Sequence, residues 1–205
     1  MAKIFIFGTN DCAELAQFYL TNDSVHSVAG FFVDKDHKEA DQFSGLPVLT
    51  WNELPSPAEA KLFIPLYDNR LREEKANKAK YFGYDLISYV SSKATVWSDV
   101  GENCFIMEDN TIQPFVEIGD NVIMWSGNHI GHHSVIKSNV FISSHVVVSG
   151  HCVIESYSWL GVNSALRDNI TVAENTFVSM SSMIHKKTKP NKMYMGVPAK
   201  PIRDV

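Results

Sequence analysis

From Ala94 to about Ile184 the apolar residues return every six positions. Counted in sixes, the leading position holds Ala94, Val100, Ile106, Ile112, Ile118, Met124, Ile130, Ile136, Ile142, Val148, Ile154, Leu160, Leu166, Val172 and Val178. With 45% of the chain hydrophobic, chance gives such a run in roughly one of 10^5 frames, so it is a repeat. The fifth position is mostly small or β-branched, as in Cys104, Val116, Val122, Ser134, Val140, Val146, Cys152, Ser158, Ser164, Ile170 and Thr176. Glycine follows the leading aliphatic at Gly101, Gly119, Gly131 and Gly161. A period of six fits neither a helix nor a simple strand alternation. It fits short flat strands joined by tight turns, three to a coil, so that residues eighteen apart stack and bury one another. That is the logic of a solenoid, here of about five coils. Asn121, Asn139, Asn163 and Asn169 share the fourth position, where a left-handed turn residue suits asparagine.

The first ninety residues follow other periods. Lys3 to Phe7 reads as a buried strand, Gly8 to Asp11 as a turn, and Cys12 to Leu20 as a helix with Asn10 or Asp11 as N-cap. Val28 to Val33 is a second strand ending at Asp34, followed by a turn-rich stretch. Leu46 to Leu49 is extended and Trp51 to Leu54 a helical turn. Lys61 to Pro65 is a third strand, Asn69 to Tyr81 a charged helix, and Asp85 to Ser88 a fourth strand. This alternation predicts a small, Rossmann-like α/β domain with a parallel sheet over residues 1–90, ahead of a β-helix domain with a C-terminal tail over residues 91–205.

The hexads resemble those of the left-handed β-helix acyltransferases. The resemblance implies the left hand of the coil, a homotrimer, and acetyl-CoA bound between neighbouring β-helices. An α/β domain placed before this β-helix is similar to the NeuD/PglD-like sugar acetyltransferases, including their 4-amino-sugar N-acetyltransferases. Met195-Gly196-Val197-Pro198-Ala199-Lys200 resembles their terminal G-x-P-A-K signature. The family's first turn is usually glycine-rich with a histidine, and Cys12 stands at that histidine's position. The implied ligands are a nucleotide-linked amino sugar on the first domain and acetyl-CoA on the second.

Five of the eight histidines lie between His129 and His151. His132 is third in its hexad and points outward at a turn, and the residue eighteen later is Gly150, which has no side chain. A base below bare backbone makes a notch for a thioester. A histidine near its ordinary pKa is a natural general base at neutral pH. Ile130-Gly131-His132-His133-Ser134-Val135-Ile136 is similar to the family's catalytic segment, so His132 is the expected base, against a plain reading as a solvated turn residue. His133 stands where relatives often carry an orienting carboxylate, and Phe141 where some carry a second histidine. His133 also stacks on His151, but two imidazoles without a third ligand nearby make a surface ladder, and no metal is expected. His145 stacks over Gly127 and under Asn163 and, with Gly150, is expected to face the acetyl-CoA, the alternative for His145 being contact with the next subunit. An oxyanion donor is sought among the backbone N–H groups near Gly150.

In open α/β sheets, ligands lie at the carboxyl ends of the strands. That rule selects Gly8 to Asp11, Asp34 and Tyr67 to Asn69, and among them Gly8, Thr9, Asn10, Asp34, Asp68 and Asn69 are the candidates for the nucleotide sugar, with turn and cap roles as the structural alternative. A lone Gly8 is not a dinucleotide fingerprint. Trp125, Trp159, Phe105 and Phe115 fall off the inward positions and are expected to face outward, at the trimer contact or under cover of the N-terminal domain.

Composition narrows the function further. The net charge of −5 argues against general nucleic-acid binding. From His185 on, however, the balance is +5, which leaves −10 for the rest. Lys186 and Lys187 in this tail, with Gly196, are candidates for holding the phosphates of acetyl-CoA; the alternative is a solvated, slightly frayed tail. The three cysteines are odd in number and widely spaced, without a zinc motif; Cys104 and Cys152, on the small inward position, read as packed thiols rather than a disulfide framework. Neither a signal peptide nor a membrane span is visible, so a cytoplasmic location is expected. Taken together, the expected activity is acetyl-CoA-dependent N-acetylation of a dTDP- or UDP-linked 4-amino-4,6-dideoxy sugar for bacterial surface polysaccharide. The alternatives are O-acetylation of sialic acid or a polysaccharide sugar, or a non-catalytic trimeric scaffold.

Overall fold

The computed structural model describes residues 3–205. The chain divides into two compact units, one ending at Tyr89 and the other running from Val90 to Val205.

The first unit is built on strand β1 (Lys3–Phe7) and helix α1 (Asp11–Asn22). Gly8 makes the turn between them with φ +102°. Asn10 caps the helix by accepting from the Ala13 N–H at 3.1 Å, satisfying one of the donors every helix start leaves open. Next come β2 (Val28–Val33), β3 (Gln42–Phe43), β4 (Leu46–Thr50), β5 (Ala60–Phe63) and helix α2 (Asn69–Tyr81). The sheet order is β3-β4-β2-β1-β5. β1, β2, β4 and β5 are parallel and β3 is an antiparallel edge. Asp85 to Ser88 is not a strand: only the Leu62–Leu86 bridge forms there, through the Leu62 N–H to Asp85 O and the Ile87 N–H to Leu62 O. Phe5, Phe7, Phe32, Leu62 and Ile64 make the core on one face of the sheet.

The second unit is a three-sided parallel β-helix. Two-residue strands pair with the strand one coil on, as in Ile118↔Ile136, Met124↔Ile142 and Ile130↔Val148. The leading aliphatics stack into a continuous core and are nearly all inaccessible to water. The fourth position supplies the left-handed corners: thirteen residues from Asn103 to Ser181 hold φ between 52° and 66° there. Asparagine tolerates this conformation well, and His133, His145 and His151 share it at some cost. Polar residues at the inward fifth position bind the next coil. Asn128 Oδ1 accepts from the Val146 N–H at 2.7 Å, and Ser134 Oγ from the Cys152 N–H at 3.1 Å.

Three expectations change. The first coil is short: Thr95 pairs with Thr111 and Val96 with Ile112, sixteen residues apart. Val96, not Ala94, therefore leads the innermost row. With six strands on that face, the β-helix has about six coils, one more than counting in sixes predicts, because the short coil and Met183–Ile184 also join the stack. The tail is not frayed. Lys192–Gly196 adds to the sheet beside Phe177–Val178, and Ala199–Asp204 folds back on it antiparallel. Tyr194 and Ala199 close the end of the core. Finally, Phe105 lies in an outward row as expected but is covered within the single chain, together with Ile123 and Phe141 of the same row. Trp125 and Trp159 are half-buried, and only Phe115 of the four aromatics is well exposed. A period of six marks the inside of the coil but does not say which outward rows are covered.

Candidate active site

His132 lies in the turn between the two-residue strands His129–Ile130 and Val135–Ile136, and its main chain is tied on both sides. Its N–H donates to Gln113 Oε1 at 2.9 Å, and its carbonyl accepts from the His151 N–H at 3.0 Å. The ring is exposed and packs against Gly150 one coil on, so closely that a Cβ there would sit 2.8 Å from Cε1 and 3.0 Å from Nε2. Its Nδ1 is 3.0 Å from His133 Nδ1. His133 is sandwiched between Phe115 (ring centroids 4.7 Å) and His151 (4.9 Å, near parallel). One of the two Nδ1 atoms must carry the proton between them. If it sits on His132, the Nε2 facing the notch keeps its lone pair. His145 occupies another corner, two turns on, over Gly127, whose added Cβ would collide with its Nδ1.

Sequence reasoning paired His133 with His151 but missed that His132 joins them. All three are exposed, and one ligand nitrogen from each lies within 4.8 Å of the others. The third imidazole comes from the turn geometry, which swings the third and fourth positions of one coil toward the fourth position of the next. Gln113 was missed too; its signal was a spacing of eighteen from Gly131.

The tail forms a second recess. A cavity of about 410 Å³ is lined by His185, Lys186, Lys187, Lys189, Tyr194 and Lys200 among others. The buried Nδ1 of His185 has no hydrogen-bond partner among the described residues. Gly196 lies at the hairpin turn with φ +104°, and its N–H donates to Ser182 Oγ at 3.1 Å.

On the first unit, the carboxyl ends of β1 and β2 open into a cavity of about 400 Å³. Gly8, Thr9, Asn10 and Asp34 line it, together with His37, Leu71 and Lys75, which the strand-end rule does not select. Asp34 takes Lys75 and Lys78 at 2.9 Å each and the Trp51 Nε1–H at 2.9 Å. Burial pushes its carboxyl up, but the hydrogen bonds and charges of the two lysines overcome this and hold it below the usual carboxylate range. Asp68 and Asn69 are not among the lining residues. Asp68 caps α2 by accepting from the Arg70 and Leu71 N–H groups at 2.9 and 2.8 Å. Asn69 Oδ1 accepts from the fully buried Arg72 at 2.8 Å. Behind this cavity Cys12 donates to Pro65 O, and burial pushes its thiol up to about 12.

The bacterial transferase hexapeptide (six repeats) family matches residues 98–132, and the whole chain has the fold of hexapeptide-repeat sugar N-acetyltransferases. Among solved structures, the acetyltransferase domain of PglB from Neisseria gonorrhoeae superimposes with a TM-score of 0.88 at 20% identity, covering 98% of this chain and 100% of that one. PerB from Caulobacter crescentus, in complex with CoA and GDP-perosamine, gives 0.89 at 22% identity over 99% and 98% of the two chains. WeeI from Acinetobacter baumannii gives 0.85 at 16% identity over 98% and 100%. Comparison with curated proteins by sequence gave no match. No helix among the described residues is long and apolar enough to cross a membrane.

Proposed function

We propose that the protein transfers an acetyl group from acetyl-CoA to the amine of a nucleotide-linked 4-amino-4,6-dideoxy sugar. The observation that carries this reading is the exposed His132 imidazole, hydrogen-bonded at Nδ1 to His133 and seated in the notch left by Gly150. Two cavities of the right chemistry support it: one at the strand ends of the α/β unit, the other edged by four lysines in the tail. The solved relative holding CoA and GDP-perosamine shares the fold over nearly the whole chain.

In this reading His132 Nε2 takes a proton as the sugar amine attacks the thioester carbonyl. The C–N bond forms, a backbone N–H near Gly150 steadies the oxyanion, and the C–S bond breaks as the thiolate leaves and is protonated to free CoA. His133, aligned by Phe115 and His151, orients the base in place of a carboxylate. Lys186, Lys187, His145 and Gly196 border the acetyl-CoA, and Gly8, Thr9, Asn10 and Asp34 the nucleotide. A homotrimer brings the base of one β-helix to the cofactor groove of the next.

The test is CoA release with a panel of UDP-, dTDP- and GDP-linked amino sugars. At least one should turn over, and His132→Asn should lower kcat by about 100-fold or more. No turnover with any sugar, or full activity in His132→Asn, overturns the reading. Turnover of sugars that lack an amine would move the assignment to O-acetylation. If acetyl-CoA fails to raise the unfolding temperature, the chain is a scaffold, because binding to the folded state must stabilise it.

A further inference from the structure

We propose that His132, His133 and His151 form a binding site for a divalent transition metal of the zinc, nickel and cobalt class, and that filling it withdraws His132 from proton transfer. The second half rests on the reading of His132 as the base; the first does not.

Ligand nitrogens from the three imidazoles already lie within 4.8 Å of one another, and the His132 and His133 Nδ1 atoms are 3.0 Å apart. With Zn–N bonds near 2.0–2.1 Å, two ligands of a tetrahedral zinc stand about 3.4 Å apart. Convergence therefore takes side-chain rotation over about an ångström or two of nitrogen movement. His133 and His151 now stack almost parallel, 16° apart, so one ring must turn for their nitrogens to point at a common ion. Exposure of both leaves room for that.

The backbone positions are held in advance. His133 and His151 occupy the same left-handed corner of successive coils with φ 58° and 57°, and the His151 N–H to His132 O bond fixes the third member. Three ligands held on the rigid coils of a β-helix have little ordering cost left to meet on binding. An all-imidazole donor set selects borderline transition metals over magnesium or calcium, which prefer oxygen. Water completes the coordination on the open side.

Calorimetric titration of the full chain with zinc chloride, in mildly alkaline buffer, tests the site. One ion should bind per chain, and His151→Asn should weaken binding at least ten-fold. Asparagine is the native residue at the same corner one coil on, Asn169, and at the equivalent left-handed position in Asn121, Asn139 and Asn163, so this variant keeps the fold, checked by an unchanged unfolding temperature. His26→Asn, far from the cluster in sequence and on the other unit, should bind zinc as the wild type does. Absence of saturable binding, or wild-type binding by His151→Asn, overturns the site.

The second arm titrates zinc into the CoA-release assay. Activity should fall over the range in which zinc binds and return with a chelator, and His151→Asn should need at least ten-fold more zinc for the same loss. Zinc binding with unchanged turnover overturns the silencing and tells against His132 as base while the site stands. Normal turnover without zinc binding overturns the site and leaves the base in place.

Discussion

The His132 ring rests on the backbone of Gly150, eighteen residues further along, where a single added methyl group would lie 2.8 Å from its Cε1. Gly150→Ala therefore acts on the site rather than on the fold. Its backbone is not left-handed, and the atom in the way is the end of a side chain that can swing aside. Stability should change by less than about 1 kcal/mol, measured by urea unfolding. Turnover should fall ten-fold or more, because the displaced ring loses its line to the notch. Unchanged turnover would show that the notch has no part in the chemistry.

Gly131→Ala, one residue before His132, should do the opposite. An added Cβ there meets the Gly150 nitrogen and the Ser149 carbonyl carbon at 2.6 Å, both backbone atoms of the next coil. The two coils must part or the chain must shift, a cost of about 2–3 kcal/mol of the kind seen on overpacking a core. Urea denaturation of the two alanine variants side by side distinguishes the cases. Equal stability would mean that the coils yield more easily than their ladder of hydrogen bonds suggests.

Asp34 is the charged hinge of the α/β unit, linking β2 to Lys75 and Lys78 of α2. Its folded pKa is lowered, so its contribution is present above the unfolded value of about 3.9 and is lost as pH falls through the lower folded value. Asp34→Asn should cost about 1–2 kcal/mol at neutral pH. The gap to wild type should narrow below about pH 4. Denaturant midpoints across that range give the answer, and a constant gap would remove the ion pairs from the account.

Cys12, Cys104 and Cys152 are all buried thiols. With Cys12 pushed up to about 12 and Cys152 also raised by burial, neither carries thiolate at neutral pH, and the thiolate is the reactive form. A colorimetric thiol reagent should find almost none in the native protein and all three after denaturation. Fast native labelling at Cys12 would place it in an open, reactive pocket.

Several elements could be read directly from the residues, some to the last position. Val28–Val33 and Asn69–Tyr81 match their expected bounds, because local apolar spacing and caps suffice to specify them. Asp85 to Ser88 failed for the complementary reason. It has strand composition, but a strand exists only if a neighbour offers it a ladder, and β5 offers one bridge. Asp68 and Asn69 stand at a strand end, as the rule for ligand sites asks, yet their oxygens serve helix α2 and Arg72. Lys75 was invisible as a cavity residue because a lysine in a charged helix reads as solvent-facing until its partner on β2 is known.

Repetition is what the sequence by itself determined. Each hexad specifies its own corner and its own inward residue, so the β-helix, its eighteen-residue stacking and the His132–Gly150 opposition follow from local rules repeated. Tertiary structure decided what depends on more than one row at once. It shortened the first coil, folded the tail back over the last one, buried Phe105, and brought His132 beside both His133 and His151. The physical reason is that periodicity gives each side chain a direction, whereas burial and ligand geometry depend on which other surfaces that direction meets.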